Sequence, residues 1–277
     1  MSPLNRMEIE EAGPNPERLA AAIHAHLGLR CGPVPAYEIA GALDIVDIRE
    51  RPLVGLEGAL VTTPDRNSGA IVVNSQSSPE RRRFTLAHEL GHFLNLWHEP
   101  QDPKRGFSCS RSDLGLGWRK GSTSATRHSD QEIQANRFAI ELLAPSRLVR
   151  PLLFGLPDLD KVLKLAETLE ISREAAARRY VELHDRPTAL VFSAAGVVRY
   201  VERHREFPFV SRGRGERLLD LSDPGDAAGV SAYVEVDARD WLIRSSGISL
   251  VAQTLRQSGG YSMTLLIIDD TDEESGE

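Results

Sequence analysis

The chain has 277 residues, of which 41% are apolar and 26% charged, a composition that suits one large globular domain or two smaller ones. A formal net charge of -7 argues against a nucleic-acid binder held by global electrostatics. No apolar run approaches the roughly 18 residues of a membrane span, the first residues lack the apolar core of a secretory signal, and Cys31 and Cys109 are too few for a disulfide framework, so no membrane association and a cytoplasmic location are expected.

Residues 1–15 and the acidic tail 271–277 are polar and expected to be disordered. Glu17–Leu27 predicts a helix, with Pro16 at its start and Gly28 at its end, and Pro35–Leu43 a second, short one. Strand patterns follow at Ile45–Ile48, Gly58–Thr62 and Ala70–Asn74; the turn residues between the last two predict a hairpin. Pro79–Leu96 predicts a helix, Pro100–Ser129 a long loop, and Ser129–Leu143 an amphipathic helix stopped by Pro145. Between Leu159 and Leu183 two helices flank a turn at Ile171-Ser172, as in helix-turn-helix units. Beyond Pro187 the pattern is α+β: a hairpin in TALVFSAAGVVRYVE, a loop at Gly213–Gly229, a strand in SAYVEV, a short helix at Val251–Gln257 and a buried strand in SMTLLIID.

His88-Glu89-Leu90-Gly91-His92 fits H-E-x-x-H within the predicted helix. Residues four apart lie on one helix face, so His88 and His92 can grip one metal ion while Glu89 reaches a water beside it, the arrangement of a zinc peptidase. A catalytic zinc takes a third protein ligand and keeps one open position. Two candidates compete. His98 has the spacing of H-E-x-x-H-x-x-G-x-x-H, with Asn95 in place of the glycine. Glu132 lies on a later helix with Asn136 four residues on, where its carbonyl oxygen can fix a ligand histidine's tautomer; the competing role for Glu132 is a capping box with Ser129.

RRRFTLAHELGHF followed by EIQANRFAIELLAP resembles the ImmA/IrrE family of metallopeptidases. The resemblance is closest over Ala70–Pro145 and departs from the pattern in the long loop between the helices and in Ala144 before the proline. It implies that His88, His92 and Glu132 bind zinc, or manganese in its place, that Glu89 is the general base, and that His98 is a loop residue rather than a ligand. It further implies a zincin-like α+β core, with a small mixed sheet, over residues 16–157, a helix-turn-helix-like unit over 158–185, and a small α+β domain over 186–270 that serves sensing or substrate docking. The implied substrate is an XRE-like helix-turn-helix repressor, cut to induce a stress response or a mobile element.

Less specific readings complete the set. The strand AIVVN, as a sheet edge, would pair with an extended substrate through Val73 and Asn74. His128 and Tyr180 are candidates for the oxyanion donor, and Trp241, Tyr233 and Tyr261 for a pocket in the C-terminal region. The alternative function is a DNA-binding regulator with a structural or vestigial metal site, in which Arg173, Arg178 and Arg179 would face phosphates and bases.

Overall fold

The structure is a computed structural model that describes residues 4–100, 106–116, 127–218 and 229–269. The chain is α+β and divides into two compact units, one of residues 1–148 with 167–172 and one of 149–166 with 173–277. Among the described residues no helix is long and apolar enough to cross a membrane. The acidic tail and most of the loop expected at Gly213–Gly229 lie outside the described residues.

The first unit begins with α1 (Arg6–Glu10), α2 (Pro16–Leu27) and α3 (Ala36–Ala42). The expectation of disorder up to residue 15 is therefore corrected at α1. Ile9 is fully buried, and Arg6 pairs with Glu10 at 2.6 Å while its guanidinium lies 4.4 Å from the Phe93 ring centroid. Strands β1 (Ile45–Arg51), β2 (Gly58–Thr62) and β3 (Gly69–Asn74) precede α4 (Pro79–Leu94). The expected long loop instead contains a short strand, β4 (Phe107–Cys109), and a turn of helix, α5 (Asp113–Leu116), before α6 (Arg127–Leu143) and α7 (Ser146–Val149). A three-residue strand leaves no periodic signal, so composition alone reads as loop.

The sheet is mixed, in the order β1-β3-β2-β4. β3 runs parallel to β1 and antiparallel to β2, and β4 completes the far edge antiparallel to β2. This corrects the reading of AIVVN as an edge: β3 is interior, Val73 is buried, and the Asn74 side chain bonds the backbone of Leu53, Leu56 and Gln76. Neither residue presents a free strand edge to a substrate.

Helix α4 starts where Ser78 accepts a hydrogen bond from Arg81 N and Pro79 takes the first helical position. It buries Leu86, Ala87, Leu90, Phe93 and Leu94 completely or nearly so, and packs on α6 at Gly91. A Cβ at Gly91 would stand 2.9 Å from Phe138 Cδ1 and 3.2 Å from its Cβ, so the glycine sets how near the two helices come. Ser129 lies inside α6, which begins at Arg127, so it does not cap the helix with Glu132.

Helix α8 (Leu159–Leu169) and helix α9 (Arg173–Leu183) flank the expected turn. In the second unit, α9 buries Arg178 and Arg179, which pair with Glu174 at 3.1 Å and Glu182 at 2.7 Å, and the Arg178 guanidinium lies 4.4 Å from the Tyr200 ring centroid. These two arginines hold the packing of the unit and are not presented to phosphates, which removes the basis for the DNA-reading alternative at those positions. The sheet contains β5 (Thr188–Ala194), β6 (Val197–Arg203), β7 (Gly229–Val230), β8 (Val234–Val236), β9 (Leu250–Arg256) and β10 (Tyr261–Ile268), with α10 (Ala238–Trp241) before β9. Its order is β6-β5-β10-β9-β7, with β8 also on β9.

The short helix expected at Val251–Gln257 is thus a strand. Leu, Ala, Gln and Arg are good helix formers, but β9 is bonded along both edges, and a strand buried on both faces loses the alternation that would reveal it. Trp241 belongs to this unit's core, Tyr233 donates to Pro157 O, and Tyr261 is half exposed beneath Arg199, so the three aromatics do not gather around one pocket. Tyr180 is buried in the same unit, its hydroxyl accepting from Asp158 N at 3.0 Å, which occupies it as a structural acceptor.

Replacing Gly91 with alanine should lower unfolding free energy by about 1–2 kcal/mol in a urea titration, because overpacking against Phe138 outweighs the gain in helix propensity. An unchanged or higher midpoint would show that the α4–α6 approach tolerates a methyl group.

Candidate metal centre

Two helices build the site, each with a pair of residues four apart. α4 brings His88 and His92 to one face, and α6 answers with Glu132 and Asn136. His88 Nε2 and His92 Nε2 are 3.1 Å apart, Glu132 Oε2 is 3.1 Å from the first, and Glu132 Oε1 is 3.3 Å from the second. Three groups from two helices thus point their donor atoms at one small volume, where His88 and Glu89 are 0%, His92 1% and Glu132 2% exposed.

Hydrogen bonds from outside settle which nitrogens face inward. Asn136 Nδ2 donates to Asp113 O at 2.8 Å, which turns its Oδ1 toward His88 Nδ1 at 3.0 Å. His88 therefore carries its proton on Nδ1. On the other side, Asn95 Oδ1 accepts from Trp97 N, so its Nδ2 donates to Pro14 O and to Gln134 Oε1, both at 3.1 Å. Asn95 Nδ2 also lies 3.0 Å from His98 Nε2, but with its two protons given to Pro14 O and Gln134 Oε1 it has none to donate there. His98 Nε2 therefore gives its own proton to Gln134 Oε1 at 3.0 Å. Burial pushes the His98 pKa down to about 4, so its Nδ1 is a bare lone pair, and the 2.9 Å contact with His92 Nδ1 is donated by His92. Burial likewise pushes His92 down to about 3. The outcome is a His92 ring with its Nε2 lone pair turned into the site.

The charges follow from the same crowding. Burial opposes a charged His88, but the Glu132 carboxylate outweighs it and raises its pKa. Burial equally opposes a charged Glu132, yet the adjoining His88 and His92 imidazoles hold its carboxyl below the ordinary range. Glu89 is different: burial pushes it up to about 7, and among the described residues only the Cys109 thiol, a weak donor, faces its carboxylate. A fully buried carboxyl met only by a thiol is costly and calls for a group to serve.

The expected residues come together as follows. His88, His92 and Glu132 form one cluster with donor atoms within 4.8 Å of one another, Glu89 sits beside it, and Asn136 reaches His88. His128 Nδ1 lies 3.7 Å from Glu132 Oε1. His98 is not in the cluster but behind it, on the far ring nitrogen of His92. Several contributors escaped the sequence reading. Gln134, two residues past Glu132, completes the His98 relay. Arg66 donates to the carbonyls of His92 at 3.0 Å, Asn95 at 2.7 Å and also His98, tying down the end of α4. Phe107 stacks on His92 with ring centroids 4.9 Å apart. Cys109 forms a second cluster with His88 and Glu89, although burial pushes its thiol well above the ordinary range, which leaves it a poor ligand. Only the six-residue spacing from His92 to His98 was a usable signal; Arg66, Phe107 and Cys109 arrive through the sheet.

The family described as peptidase M78, IrrE N-terminal-like domain, matches residues 43–180. The radiation response metalloprotease IrrE of Deinococcus radiodurans is 37% identical over 87 residues, covering 29% of this chain and 25% of that protein. Its namesake from Deinococcus deserti is 34% identical over 92 residues, covering 31% of each. The chain thus matches only about a quarter to a third of the length of these curated relatives. A Mycobacterium tuberculosis transcriptional regulator superposes with a TM-score of 0.55 over 97% of this chain and 92% of its own at 14% identity, a likeness of fold alone. With α4, α6 and the four-stranded sheet inside the matched span, the chain belongs to the ImmA/IrrE family of metallopeptidases.

Proposed function

We propose that the chain is a zinc-dependent endopeptidase, with His88, His92 and Glu132 as the metal ligands and Glu89 as the general base. One observation carries this reading: two buried imidazole nitrogens and the two oxygens of one buried carboxylate stand 3.1–3.3 Å apart around a common point, beside the Glu89 carboxylate, which among the described residues meets only the weakly donating Cys109 thiol. Lone pairs packed so closely repel unless a cation or a proton lies among them. Tetrahedral bonds of about 2.0–2.1 Å give ligand–ligand edges of roughly 3.3 Å, the spacing here, and two imidazoles with one carboxylate are a donor set that zinc favours. A bound zinc supplies Lewis acidity, which makes water a competent nucleophile near neutral pH.

The chain's own groups do the rest. Glu89 Oε takes a proton from water and returns it to the leaving amine, a task suited to a carboxyl pushed up to about 7. Asn136 and the His98–Gln134 relay hold the two imidazoles in the tautomers that leave each Nε2 free. His128, beside Glu132 and partly open to solvent, is the group we assign to the oxyanion.

The substrate we infer is a helix-turn-helix repressor of the XRE type, cut at few positions to induce a stress response or a mobile element, in the cytoplasm. Support comes from the family pattern, from the radiation response named for the Deinococcus relatives, and from two free cysteines. We assign catalysis to residues 16–157 and sensing or substrate docking to 186–270.

Glu89→Gln should retain zinc but cut the repressor encoded beside the gene about 10²–10⁴-fold more slowly than wild type. Chelation should abolish the wild-type activity and zinc restore it; equal inertness of zinc-loaded wild type and Glu89→Gln would remove the peptidase reading. His98→Ala should keep the fold by circular dichroism yet bind zinc about 10–100-fold more weakly in chelator competition. Undiminished affinity would show that His92 needs no support from behind.

A further inference from the structure

An endopeptidase must admit a stretch of polypeptide to its catalytic groups, yet here His88, Glu89, His92 and Glu132 are at most 2% exposed. The segment lying against them belongs to the chain itself. Phe107 is stacked on His92, the Cys109 sulfur groups with His88 and Glu89, and Asp113 O receives the Asn136 amide. This segment is held as a strand. Cys109, Ser108 and Phe107 pair antiparallel with Gly58, Ala59 and Leu60, and Glu57 N donates to Cys109 O at 2.9 Å. β2 is itself beside the catalytic carboxylate, since a Cβ on Gly58 would stand 3.2 Å from Glu89 Oε1.

We propose that the edge of β2 at Gly58–Leu60 docks an extended segment of the polypeptide substrate, and that Phe107–Cys109 is an internal occupant which the substrate displaces. The proposal rests on the peptidase reading above. Strand addition uses main-chain bonds for affinity and alternate side chains for selection, and β4 displays both. Phe107 and Cys109 are buried toward the site while Ser108 faces out. The substrate segment should accordingly carry a large apolar or aromatic residue, an indifferent one, then a small one. Displacement is feasible because the occupant is three residues long, and short edge pairings open at low cost. Gly106 lets the chain enter the edge: its φ is +74°, and a Cβ there would lie 2.4 Å from Leu60 O.

Two variants outside the catalytic groups test this. Gly106→Ala should push the segment off Leu60, raising hydrogen exchange of the Glu57 amide at least ~10-fold and cleavage of unfolded casein by zinc-loaded protein about 5-fold or more. Ala59→Cys with Ser108→Cys, in a Cys31→Ser background, joins β4 to β2 by a disulfide on the side away from α4. The oxidised form should be inactive on casein, and reduction of the same sample should restore cleavage. The docking proposal is overturned if the oxidised form cleaves as fast as the reduced one, or if Gly106→Ala speeds Glu57 exchange without raising cleavage while wild type remains active. If no form cleaves even with the Glu57 amide exposed, the peptidase reading itself falls and takes this proposal with it.

Discussion

The close approach of α4 and α6 is the constraint on which the site depends. An α-helix can place two histidines a turn apart unaided, but a third donor must come from another element, and it must be a carboxylate willing to leave water. Gly91 lets Phe138 close to contact, and that distance brings Glu132 onto both imidazoles. Because Glu132 and Asn136 repeat the four-residue spacing of His88 and His92, the two helices match turn for turn. One turn of α6 meets the donor atoms from the front while the next reaches around to His88 Nδ1. A shift of either helix along its axis would lose both contacts together.

Such an arrangement is unfavourable electrostatically, so the surroundings have to hold it. Burial disfavours every charged form in the site, and the lone pairs face one another. The restraint comes from behind the rings, where Asn136 and His98 each take an Nδ1 proton and are themselves fixed, one by Asp113 O and the other by Gln134. Arg66 adds a cation at the carbonyl end of α4, where the helix dipole favours it. The chain thus invests polar contacts in orientation rather than in stability.

What was legible in the sequence follows this division. His88, Glu89, His92, Glu132 and Asn136 lie at helical spacings, and spacing within a helix is visible in a linear string. The support from β4, from the β2–β3 turn and from beyond α4 was not, because those residues meet the site only through strand order. Val73 and Asn74 were misplaced for that reason: a hairpin can be read from turn residues, but not that β1 and β4 will cover both of its outer edges. β9 failed differently, its helix-forming composition overridden by partners on either edge. Arg178 and Arg179 looked like a basic face, and only the neighbouring Glu174, Glu182 and Tyr200 reveal a buried pairing.

A site closed by its own chain also bears on selectivity. A substrate that must displace β4 gains only the difference between its own strand pairing and the pairing it replaces, so generic peptides with equivalent main-chain bonds gain almost nothing. Preference then falls to the side chains at the Phe107 and Cys109 positions and to contacts made elsewhere on the protein, where additional binding energy can offset the cost of opening. On the proposed peptidase function, few, specific cleavages would emerge from this competition without any need for a highly discriminating metal centre. The groups around His88 and His92 could then be tuned for chemistry alone, with the edge of β2, as proposed, deciding what reaches them.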